Sequence, residues 1–114
     1  MKMTRESIIS IYNNINRVEG ERPLSNPLRW EQFRKCNAYI AHEPITVRDD
    51  ETGEWHTIRV IKSYNTKVAF YDYTTQCFCE IGKFSQTTSK QCTQIFNTYY
   101  GGSDRVNAMH YVAW

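Results

Sequence analysis

The sequence predicts an α+β fold: two N-terminal helices, a small antiparallel β-meander, a third helix and a C-terminal strand. Three observations predict it. Apolar residues recur at helical spacing before Ala41 and again from Thr88 to Tyr99. Between Ile45 and Ile81 the period drops to two. The connections between those period-two runs are only a few residues long, which favours antiparallel neighbours. The 114 residues suit one domain, with a helical part over 1–44 and a sheet-plus-helix part over 45–114.

The first helix is expected from Thr4 to Arg17. Thr4 suits an N-cap, and Ile8, Ile11, Tyr12 and Ile15 share one face. Gly20 and Pro23 end it. Asn26-Pro27 reads as a second helix start, a capping side chain before Pro at the first helical position. That helix should continue to Ala41 with Trp30, Phe33, Cys36 and Ile40 inward, a basic side of Arg29, Arg34 and Lys35, and Pro44 as its stop.

Strands follow at Ile45–Arg48, Trp55–Lys62, Lys67–Tyr73 and Cys77–Ile81. Their connections are the acidic turn Asp49 to Glu54, the Ser63-Tyr64-Asn65-Thr66 turn and Thr74-Thr75-Gln76. The third helix, Thr88 to Tyr99, carries Cys92, Ile95, Phe96 and Tyr99 on its apolar stripe, with Ser85 or Thr87 as cap. Gly101-Gly102 breaks the chain, and Ala108 to Trp114 reads as a last strand or docked tail.

Composition narrows the function classes. Fourteen basic and twelve acidic residues give a net charge of +2, without the basic excess that supplies most of a nucleic-acid binder's affinity. No apolar run approaches membrane-spanning length, and the N-terminus lacks a signal-peptide core, so a cytoplasmic protein is expected. Eight tyrosines are an excess that suits either half-buried strands or a binding surface.

No catalytic set emerges. His42, His56 and His110 have no visible nucleophile or orienting partner. Asp49, Asp50, Glu51 and Glu54 are contiguous rather than spaced as a calcium loop requires, and read as a hairpin tip. Cys77 and Cys79 share a strand face, but Cys36 and Cys92 are isolated and do not make the second tight pair of a structural zinc site. The glycine patterns of phosphate loops are missing. Neither a metal nor another cofactor is expected.

Two segments remain as a contact region. Tyr71 and Tyr73 alternate with Val68 and Phe70 and so fall on the face away from the helices, near Tyr64 and Lys67. Lys83, Ser85, Thr87, Thr88 and Lys90 surround a helix start whose free N–H groups suit an anion. Tyr would anchor a partner, and lysines would steer it. Lys62 beside the same tyrosines gives the alternative, a small nucleic-acid-binding accessory protein that stacks bases on a Tyr/Lys strand face.

Residues 63–96 also resemble the core of a small phage-associated domain of unknown function. The resemblance lies in Ser63-Tyr64-Asn65-Thr66 with Val68-Ala69, and in Phe84-Ser85 with Thr87-Thr88-Ser89-Lys90. It does not reach the N-terminal elements. It implies a phage or mobile-element protein in the host cytoplasm. Such a protein acts without enzymatic chemistry by binding a host protein or ribonucleoprotein complex, as an anti-CRISPR-like inhibitor of a defence nuclease.

Overall fold

The computed structural model describes residues 3–82, 86–101 and 109–112, with side chains except those of 86–89 and 109. The first helix is α1 (Arg5–Gly20), three residues longer than its apolar pattern required. Thr4 Oγ1 accepts the Ser7 N–H at 3.1 Å, and Glu6 and Arg17 complement the dipole at the two ends. Ile8, Ile11 and Ile15 are buried on the predicted face.

The second predicted helix is not there. The Asn26 N–H closes a turn on the Pro23 carbonyl at 2.9 Å, so Asn26-Pro27 ends a turn and caps nothing. The chain then forms a hairpin of β1 (Trp30–Gln32) and β2 (Ala38–Ala41), paired Trp30↔Ala41 to Gln32↔Tyr39. Its loop turns on two consecutive left-handed residues, Arg34 (φ 50°) and Lys35 (φ 59°), and the Phe33 N–H donates to the Ala38 carbonyl at 2.8 Å. The physical reason lies in the spacing. Trp30, Phe33, Cys36 and Ile40 fall three, three and four apart, whereas Ala38 and Ile40 bury fully when they alternate as a strand beside β4. Tertiary burial overrides a weak helical pattern.

β3 (Ile45–Arg48), β4 (Trp55–Ser63), β5 (Thr66–Asp72) and β6 (Cys77–Ile81) start and end within one residue of their predicted runs. α2 (Gln86–Tyr100) and β7 (Met109–Val112) complete the chain. A Cβ at Gly101 would collide with the Asn97 carbonyl, so glycine is what lets the backbone leave α2 as it does. The sheet is no small meander. Its seven strands run β1-β2-β4-β5-β6-β7, with β3 beside β2 on the same edge of β4. All pairs are antiparallel except β6 with β7, which are parallel because α2 crosses between them. The architecture is therefore a mixed, mostly β sheet with two helices, in place of three helices and a small meander.

The helices lie on opposite faces. α1 packs its isoleucines against Val47, Ile58, Val60, Phe70, Cys79 and Ile81. α2 packs Cys92, Ile95 and Phe96 against Ala38, Ile40, Ile61, Ala69 and Phe78. At a bulge between Ile61↔Ala69 and Lys62↔Lys67, β5 carries one extra residue, Val68, which joins Ala69 in the α2-side core. Among the described residues, no helix is long and apolar enough to cross a membrane.

Candidate functional site

α2 covers only part of its face. All five residues of β6 are buried, as in a strand covered on both sides, whereas β3 alternates buried and exposed. β4 shows both patterns: it alternates from Trp55 to Ile58, then is largely buried to Ser63. Among the described residues, those left uncovered on the α2 side around β3 and β4 are Thr46, Arg48, Trp55, Thr57 and Tyr73, with half-buried Arg59 and Tyr71 at the margin of α2; Glu31 of β1 and Tyr111 of β7 are exposed on the same side at the two ends of the sheet. Trp55 is 62% exposed and Tyr73 39%. These side chains sit on a rigid sheet whose reverse carries Val47, His56 and Ile58, all buried on the α1 side.

The margin is an aromatic cluster around one guanidinium. The Tyr71 ring stacks on Tyr100 of α2 at 3.8 Å between centroids and 4° between planes. Tyr73 stands edge-on to both, at 4.9 and 5.7 Å. The Tyr73 and Tyr100 hydroxyls are 3.0 Å apart and lie close to the Arg59 guanidinium. Arg59 Nε donates to the Ala41 carbonyl at 2.6 Å, and its Cζ lies 5.3 Å from the Tyr99 ring centroid. Burial draws the Arg59 pKa down, but the two tyrosines outweigh it and the net direction is up. Burial, then the Tyr73 hydroxyl, drives the Tyr100 phenol well above its ordinary value. Charged guanidinium and protonated phenol are thus fixed across the physiological range.

The predicted contact residues do not converge. Tyr71 and Tyr73 belong to this cluster, but Tyr71 is stacked under α2 rather than free. Tyr64, 66% exposed and left-handed at φ 54°, sits in the β4–β5 turn at the other end of β5. Lys67 is tied down on the α1 side: its Nζ pairs with Glu19 at 2.8 Å and Asn16 at 2.7 Å, and its carbonyl accepts the Tyr12 hydroxyl at 2.6 Å. Lys90 is exposed on α2. Lys83 and Ser85 lie outside the described residues, as do the side chains of Thr87 and Thr88. The Tyr/Lys strand face is split as well, because Lys62 packs over Trp30 (4.3 Å) and Tyr39 (5.5 Å) on the opposite side from Tyr71 and Tyr73. Trp55, Arg48, Arg59 and Tyr100 were missed. Trp55, Thr57 and Arg59 share one strand face by period two, but nothing local tells that α2 leaves this face open.

Three of the four cysteines are buried in the cores. Cys77 and Cys79 lie in the α1-side core and Cys92 in the α2-side core, so the sheet separates the thiols. Burial pushes the Cys79 and Cys92 thiols up, away from the thiolate form. Among the described residues, no three His, Cys, Asp or Glu side chains converge as metal ligands. His56 is buried under α1, with Nδ1 2.6 Å from Asp72 Oδ2, while Asp72 Oδ1 accepts the Thr74 N–H at 2.8 Å. Asp49 is the keystone of the acidic turn: its carboxylate accepts the Glu51 N–H at 2.9 Å and the Thr52 hydroxyl at 3.1 Å.

A family of unknown function, DUF8033, matches residues 3–111. The chain belongs to that family. The match takes in α1 and β1 to β3 together with residues 63–96, so the N-terminal elements are part of the family's own domain and not an addition to it. No curated protein and no solved structure matches the chain.

Proposed function

We propose that the chain is a non-enzymatic module that binds a protein partner through the uncovered half of its sheet. The observation that carries this reading is the exposure of Trp55, at 62%, beside Arg48 and Tyr73 on strands held rigid by a core. Trp, Tyr and Arg dominate binding hot spots: the two aromatics bring large contact area at low entropic cost, and Arg brings a planar fork of donors. A rigid sheet keeps that cost low. The partner as a host defence nuclease complex, and the chain as its phage-borne inhibitor, rest on the resemblance over residues 63–96 alone.

The test is capture by tagged protein from lysate, with and without nuclease, using wild type and Trp55→Ala side by side. A stoichiometric protein that survives nuclease and is lost with Trp55→Ala supports the reading. Capture that persists in the variant moves the contact elsewhere. Capture that vanishes with nuclease and falls log-linearly with salt replaces the protein partner by nucleic acid.

A further inference from the structure

The cluster at the margin of α2 has more hydrogen-bond donors than acceptors. Arg59 carries five N–H groups, of which Nε is spent on Ala41. The Tyr73 and Tyr100 hydroxyls bond each other beside the guanidinium, and one phenolic proton suffices for that bond. That leaves guanidinium N–H groups and one phenolic proton in excess of the acceptors among the described residues. The open half of the face adds no carboxylate among the described residues: Thr46, Arg48, Trp55, Thr57, Arg59, Tyr71 and Tyr73 hold two cations and no anion, and Glu31, exposed on the same side, stands on the edge strand β1. Arg48 already has its acid, Asp50 at 3.1 Å, whereas Arg59 has no acid within salt-bridge range among the described residues. Tyr73, 39% exposed, places the notch at the edge of the open face.

Resting on the binding reading above, we propose that Arg59, Tyr73 and Tyr100 form a notch that takes an Asp or Glu carboxylate from an acidic segment of the protein partner. A carboxylate accepts a bidentate pair from guanidinium and a third bond from a phenol, which matches the donors left over. A half-buried guanidinium already held by the Ala41 carbonyl and the Tyr99 ring also loses less freedom on binding than a free surface arginine. A polyphosphate partner fits less well. It needs a track of cations, and the other one on the open half of the face, Arg48, is paired with Asp50.

The experiment follows the Arg59 Nε–Hε NMR signal of the full chain, assigned by its loss in Arg59→Lys. The probes are an acetylated, amidated pentaglutamate peptide, inorganic phosphate and an oligothymidylate. The proposal expects a saturable shift with pentaglutamate that weakens about threefold or more in Tyr73→Phe, which keeps the ring and removes the hydroxyl. Backbone amide signals establish that Tyr73→Phe is folded, so the result stands even if Arg59→Lys is not. No saturable shift with pentaglutamate, or equal affinity in wild type and Tyr73→Phe, overturns the notch. Tighter titration by phosphate or oligothymidylate overturns it in favour of a phosphate ligand. Loss of partner capture in Trp55→Ala with no pentaglutamate shift sinks the notch and spares the binding face. A pentaglutamate shift with capture unchanged in Trp55→Ala does the reverse.

Discussion

The two halves of β4 make a controlled comparison within one strand. From Val60 to Ser63 it lies between α1 and α2, and Val60 and Ile61 are buried on opposite faces. From Trp55 to Ile58 only the α1 side is covered, and Trp55 and Thr57 face outward. On one edge both halves pair, with β2 or β3; on the other, β5 pairs from Ile58 to Ser63, and the Tyr73 N–H reaches the outer half at the Thr57 carbonyl. On the α2 side the two halves differ in whether a helix sits over them. That helix has turned one half of the face into core and left the other half as a surface of large, stiff side chains. Substitutions in the two halves should accordingly separate stability from binding.

The largest effect belongs to the covered half. Phe78 is fully buried and meets Phe96 edge-on at 5.5 Å between centroids. Phe78→Ala removes the central side chain under α2 and should cost about 3–5 kcal/mol in urea unfolding. A cost below about 1 kcal/mol would mean that α2 is not packed as a core layer.

Next comes the buried histidine–carboxylate contact beneath the open half. His56 and Asp72 are almost fully buried, and Asp72 is also held by the Thr74 and Thr75 N–H groups. Asp72→Ala leaves the imidazole and those two N–H groups without their acceptor, and should cost about 3 kcal/mol or more. Double substitution with Phe78→Ala sharpens the comparison. The pair lies on the α1 side and Phe78 on the α2 side, so the two costs should add within about 0.5 kcal/mol.

A smaller effect follows pH. Burial pushes the Asp49 carboxyl up, but hydrogen bonds from Ser7, the Glu51 N–H and Thr52, with the nearby His56, outweigh it and the net direction is down. A carboxylate with a depressed folded pKa contributes stability above its unfolded value, about pH 3.9, and loses it as pH falls through the folded value. Asp49 holds the β3–β4 turn through the Glu51 N–H and the Thr52 hydroxyl, so Asp49→Asn should be less stable at pH 7 and show a flatter decline below about pH 4. Parallel curves for wild type and variant would remove Asp49 from the acid limb.

How much of this is legible in the sequence depends on the range of the cause. α1 and the strands from Ile45 to Ile81 are set by local matters, a Thr4 cap and period-two alternation, and they read correctly. The β1–β2 hairpin does not, because Arg34 and Lys35 adopt left-handed backbone where Gly or Asn would have announced the turn. The parallel β6–β7 pairing joins residues about thirty apart in sequence and leaves no local mark. The site divides the same way. Alternation puts Tyr71 and Tyr73 on one face, but only the position of α2 decides that Tyr71 stacks on Tyr100 while Trp55 stays open.

The smallest effect on stability should be the largest on binding. Trp55 opens β4 opposite Arg48, and its ring is mostly in water, so little apolar burial is lost on truncation. Trp55→Ala should therefore change unfolding by about 0.5 kcal/mol or less. Contacts along β4 from Ile58 onward should be untouched, since Trp55 shares no core cluster with them. In a complex the same ring would be fully desolvated, where an anchoring Trp is worth about 2 kcal/mol or more, close to a thirtyfold change in affinity. Urea unfolding and partner capture measured on one preparation decide the matter. A stability loss equal to that of Phe78→Ala would make Trp55 a core residue and close the open half of the sheet as a candidate surface.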